Sequence, residues 1–144
     1  MKWILLPILL LSLGCGQDYT LNPTGIGQTA SCTAGVAQIQ IGDGYTRILC
    51  GCKLEASGSL FRPGETLNCT VDPGAQVVFR FETAQSYHQI IPAPGSPSFL
   101  PMAPRLADNP NAQSAYVVTF STPATTFRFI DGYMPELKGN IIVQ

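Results

Sequence analysis

The chain has 144 residues, with 8 Lys plus Arg against 9 Asp plus Glu and a single histidine, so its formal charge at neutral pH is −1. No basic run occurs, which speaks against nucleic acid as a partner. Charged residues make up only 12%, while Gly (14) and Pro (12) are plentiful, a balance that points to short strands and many turns.

In chain order, Met1-Lys2-Trp3 precede an apolar run from Ile4 to Leu13. A short basic start followed by a short apolar stretch reads as a secretory signal. The run falls short of the ~20 apolar residues that a spanning helix requires, and no second one follows. Leu11-Ser12-Leu13-Gly14-Cys15 resembles the lipobox of bacterial lipoproteins, with a small residue just before the cysteine. Ser12 stands where an aliphatic residue is usual, and Leu13 where a smaller one is. This places a signal peptide at residues 1–14 and acylation at Cys15, which ties the protein to a membrane through acyl chains. Ordinary secretory cleavage near Gly14 or Gly16 is the other reading. Five cysteines are present, and setting Cys15 aside leaves four that can pair. Gly16, not Asp, follows Cys15; by resemblance to lipoprotein sorting this implies the outer membrane of a bacterial envelope, facing periplasm or exterior. Residues 15–31 are polar and turn-rich and read as a flexible tether. Residues 32–144 are long enough for one core and one domain.

From Val36 onward, period-2 alternation predicts strands. Ala37, Ile39 and Ile41 share a face, then Gly42-Asp43-Gly44 turns the chain. Thr46, Ile48, Cys50, Cys52 and Leu54 share the next face, and residues 56–65 form a loop. Leu67, Cys69 and Val71 point inward, and Asp72-Pro73-Gly74 is a turn in which Pro presets φ and Gly supplies a positive one. Val77, Phe79 and Phe81 follow, then a strand from Tyr87 to Ile91. Pro92 to Asn111 is too proline-rich for regular sheet. Tyr116, Val118 and Phe120, then Phe127 and Phe129, then Gly139 to Val143 complete the set. Seven or eight such strands with frequent turns imply an all-β sandwich.

Export places Cys32, Cys50, Cys52 and Cys69 where disulfides persist. Cys50 and Cys52 lie two apart on an extended strand, a poor geometry for a bridge to one another. Each is expected to pair with Cys32 or Cys69, in either of two arrangements. The alternative use of Cys50-Gly51-Cys52 is a soft-metal clasp for Cu(I).

Three segments, in order, resemble the cupredoxin family of small blue-copper sandwiches. They are Phe61 to Phe79, with Arg62-Pro63-Gly64-Glu65 and Asp72-Pro73-Gly74; Tyr87-His88-Gln89-Ile90-Ile91; and Tyr116 to Phe120 followed by Thr126 to Val143. The last fits, without a gap, the short ligand loop Y-x-Y-x-C-x-x-H-P-x-M-x-G-x-V-x-V of amicyanin-like members. The resemblance implies a Greek-key β-sandwich of the cupredoxin type with seven to eight strands. His88 matches the first copper-ligand histidine. Asp131 stands where the cysteine ligand belongs, Met134 where the second histidine belongs, and Leu137 where the axial methionine belongs. A blue site needs two imidazoles and a thiolate with a weak axial ligand, so type-1 copper and ordinary electron transfer are not expected.

If the fold holds, His88, Asp131 and Met134 converge at one end of the sandwich. Imidazole, carboxylate and thioether can in principle hold copper, with Met102 as a fourth donor. The plainer reading is a vestigial site in which His88 hydrogen-bonds Asp131 and Met134 packs. Tyr45 and Tyr133 are candidates for partner contact or for ordinary packing. No nucleophile–base pair, paired carboxylates or phosphate loop points to an enzyme. The expected function is therefore a lipid-anchored binding or interaction module that carries no cofactor and meets a protein partner through the Pro92–Asn111 segment. Copper binding or electron transfer through His88, Met134 and Asp131 is the alternative.

Overall fold

Alternating burial builds the strands, and the glycine-bearing turns end them. The computed structural model describes residues 32–102 and 115–144. The signal expected at 1–14, the expected acylation at Cys15, the tether expected at 15–31 and residues 103–111 of the proline-rich segment lie outside the described residues. Within them run β1 (Val36–Gly42), β2 (Tyr45–Cys50), β3 (Leu60–Phe61), β4 (Thr66–Val71), β5 (Ala75–Arg80), β6 (Ile90–Pro92), β7 (Ala115–Phe120), β8 (Thr125–Asp131) and β9 (Lys138–Val143). They form a five-stranded sheet in the order β3-β2-β1-β5-β7 and a four-stranded sheet in the order β4-β9-β8-β6. β1 lies parallel to β5 and β4 parallel to β9; the other pairs are antiparallel. The chain is thus an all-β sandwich.

The inward residues of both sheets fill one core. Ile39, Ile41, Ile48, Leu67, Val77, Phe79, Phe81 and Ile90 are wholly buried. Phe79 of the larger sheet meets Phe129 of the smaller edge-to-face, ring centroids 5.1 Å apart, the preferred geometry for two quadrupoles. Each such ring contributes ~2–3 kcal/mol by leaving water. Gly139 lies directly against Phe129: a Cβ there would come within 2.6 Å of the Phe129 ring and 2.9 Å of the Leu67 carbonyl oxygen.

The strand pattern differs from expectation in four places. Nine strands lie among the described residues, because the expected loop at 56–65 contains the two-residue β3, paired with β2 at Thr46 and Arg47. β2 ends at Cys50, so Cys52 and Leu54 do not continue its inward face; Leu54 is 72% exposed. Gly51 explains this. Its φ is +82° and a Cβ would sit 2.1 Å from the Val36 carbonyl oxygen, so the chain leaves the ladder here in a conformation that favours glycine. The strand expected from Tyr87 to Ile91 is reduced to Ile90–Pro92. Gln89 gives its N–H to the Asp131 side chain rather than to a ladder carbonyl. Pro92, expected to open the irregular segment, closes β6 opposite Phe129.

The cysteines resolve into Cys32–Cys50 and Cys52–Cys69, Cα atoms 5.6 and 4.9 Å apart. The second joins the exit of β2 in one sheet to β4 in the other, beside the hydrogen bond from Lys53 N–H to the Thr70 carbonyl. Bridges spanning loops of this size contribute ~3 kcal/mol each in the chain-entropy picture.

Candidate functional site

The sheet register brings His88 to Asp131. Ile90 of β6 lies opposite Asp131, the last residue of β8. Continuing one step back, Gly132 donates its N–H to the Gln89 carbonyl at 2.7 Å. His88 shares the inward parity of Ile90, and both are wholly buried. Its Nδ1 lies 2.5 Å from Asp131 Oδ2, and Asp131 is wholly buried as well.

The second ring nitrogen is also taken. Nε2 lies 3.1 Å from Oδ1 of Asp43, the residue at the tip of the β1–β2 turn. Both partners are carboxylates, which accept only, so the ring satisfies both as an imidazolium donating at each end. Burial pushes the His88 pKa down, but hydrogen bonds and charge from Asp131 and Asp43 outweigh it and the net shift is upward. Phe81 stacks near the ring, centroids 6.2 Å apart.

Each carboxylate is fixed in turn by backbone. Asp43 accepts the N–H groups of Gln85 and Ser86, both at 2.9 Å. Burial raises its pKa, yet these bonds and the one from His88 hold it at about 2. Asp131 Oδ1 accepts N–H from Gln89 (3.2 Å), Tyr133 (2.9 Å) and Met134 (3.3 Å). This side chain therefore shapes the β8–β9 loop, which the Asp131 N–H to Leu137 carbonyl bond closes at 2.9 Å.

Of the expected donors, His88 and Asp131 meet directly. Met134 joins through its backbone N–H, while its half-buried side chain packs against the core. Met102 is buried in the core, and its carbonyl accepts the Gln89 side-chain amide at 2.9 Å. Leu137 is also core. Tyr133 is 48% exposed beside Tyr87, with ring centroids 6.0 Å apart. Tyr45 bonds the Thr83 hydroxyl at 2.9 Å. Asp43 escaped the sequence reading: as a polar residue between two glycines it carried only a turn signal, and nothing local ties it to a histidine 45 residues away.

No protein-family model matches the sequence, and no curated protein matches it. Among solved structures, the chain is similar to amicyanin from Paracoccus versutus, with a TM-score of 0.50 and 16% identity over 81% of this chain and 88% of that one. An oxidised methionine-to-leucine mutant of amicyanin gives a TM-score of 0.50 and 18% identity over 81% and 89%. At this identity the likeness speaks for the fold, which is cupredoxin-like.

Proposed function

We propose that this protein is a lipid-anchored envelope protein whose cupredoxin-like domain works as a binding module without type-1 copper. The observation that carries the reading is the engagement of both His88 nitrogens by carboxylates. The donor set does not fit a blue site. Asp131 replaces the thiolate expected from the loop resemblance, and the four cysteines of the described residues are bridged. Among the described residues no group of three or more His, Cys, Asp and Glu side chains is arranged to hold a metal ion. On this reading the rigid sandwich presents a recognition surface, as long loops on stable scaffolds often do. Leu100, 76% exposed within the proline-rich segment, and Val117, 50% exposed on β7 beside it, supply apolar contact area.

The test has two parts. The full-length protein, oxidised and exposed to Cu(I) or Cu(II), is expected to stay colourless and to keep no metal after desalting. One retained equivalent, lost in His88→Ala, would turn the reading into copper handling through His88, Met134 and Asp131. Cys15→Ser is expected to release the protein from the membrane fraction; unchanged membrane association would sink the anchor.

A further inference from the structure

His88 joins three stretches that are remote in the chain. Asp43 lies at the β1–β2 tip, 45 residues before it, and Asp131 at the end of β8, 43 residues after it. The bonding is reciprocal. Asp43 also holds the 85–86 backbone of the histidine's own segment, and Asp131 holds Gln89 together with the 133–134 loop. A metal ion does the same work in many small domains, gathering side chains from separate loops and fixing them. Two donors on one tetrahedral ion, with bonds of ~2.0–2.2 Å, stand about 3.3 Å apart. Nδ1 and Oδ2 are 2.5 Å apart, at hydrogen-bond separation, so an ion between them requires the pair to part.

We propose that Asp43–His88–Asp131 is a metal-free cross-link, in which the imidazole ties the β1–β2 tip, the segment before β6 and the β8–β9 loop into one cooperative unit. Asp43 and Asp131 are the ionisable groups that face the ring, one from each flanking element, and Phe81 covers it. The inference rests on the copper-free reading above and adds a claim of its own: the three stretches open and close together.

Hydrogen exchange on the full-length oxidised protein tests it. In His88→Phe, which keeps the ring volume but neither bond, exchange at Gln85, Ser86, Gln89, Gly132, Tyr133 and Met134 is expected to rise together by about tenfold or more, while Ile39, Val77 and Phe129 keep their protection. A rise confined to residues beside position 88 overturns the cross-link. Should that variant fail to fold, Asp43→Asn leaves the histidine and the inner bond in place. Tyr133 and Met134, which bond Asp131 and not Asp43, are still expected to exchange faster; unchanged rates there overturn the proposal. Copper retention measured on the same wild-type sample separates the failures. Retained copper sinks the copper-free reading and the cross-link with it, whereas no copper with uncoupled exchange sinks the cross-link alone.

Discussion

The two ends of the β1–β2 hairpin are held by different chemistry. At one end Cys50, opposite Gln38, is bridged to Cys32, and Cys52 just beyond is bridged to Cys69. At the other, beyond the Gly42–Tyr45 pair, Asp43 reaches His88 and through it Asp131. Six residues of strand, roughly 17–20 Å, separate them. The covalent end acts mainly by limiting the unfolded chain and does not depend on protonation near neutral pH. The ionic end depends on a proton, and its buried charges hold only while each has a partner. A small sandwich can thus be fastened covalently at one end and by a proton-dependent contact at the other.

The largest change expected at the ionic end is a gain of metal. Asp131→Cys, Met134→His and Leu137→Met together rebuild the donor set that the loop resemblance implies, and this variant is expected to take up one equivalent of Cu(II) with a blue colour. A colourless, metal-free product would mean that the loop no longer supports that geometry. Next comes Asp131→Ala. It removes one partner of a wholly buried pair, leaves His88 with Asp43 alone and strips the Gln89, Tyr133 and Met134 N–H groups of their acceptor, costing about 3–5 kcal/mol. Urea unfolding at neutral pH measures it, and a loss below ~1 kcal/mol would place the ionic end among weak surface pairs.

At the covalent end, Cys52→Ala with Cys69→Ala is expected to cost about 3 kcal/mol. Cys69 is wholly buried, so part of that loss is packing, and denaturation of the reduced wild-type protein separates the two. The smallest effect is the pH profile. His88 has a folded pKa above its ordinary 6.5, so its contribution is complete below pH 6.5 and is lost as pH rises through the folded value. Asp43 is lowered from 3.8 to about 2, so its contribution is present above pH 3.8 and fades as pH falls toward 2. Urea midpoints are expected to be flat between these limits and to decline on both sides. The alkaline decline is expected to vanish in His88→Phe, and its persistence there would assign it to another group.

Much of the fold was legible because burial on a sheet repeats every second residue. Ala37, Ile39 and Ile41, and likewise Val77, Phe79 and Phe81, alternate in sequence and are wholly buried in the structure. The pattern fails where side chains divert the backbone or glycine turns it. Gln89 spends its N–H on Asp131, and Gly51 takes the chain off the ladder after Cys50. Spacing excluded a Cys50–Cys52 bridge but left both remaining arrangements open. Choosing between them required knowing that the exit of β2 passes β4, a contact between sheets that no local pattern encodes.

The sequence by itself determined the all-β character, the inward faces and the four cysteines that pair, since each rests on residue type and spacing along the chain. It also brought His88 to attention through the Tyr87–Ile91 resemblance and Asp131 through that of the ligand loop. Only the tertiary structure decided that Asp43 closes the other side of the ring. That contact spans 45 residues and exists because parallel pairing of β1 with β5 carries the chain back to the end where the β1–β2 tip lies. Sequence spacing cannot report a distance that the sheet order alone creates.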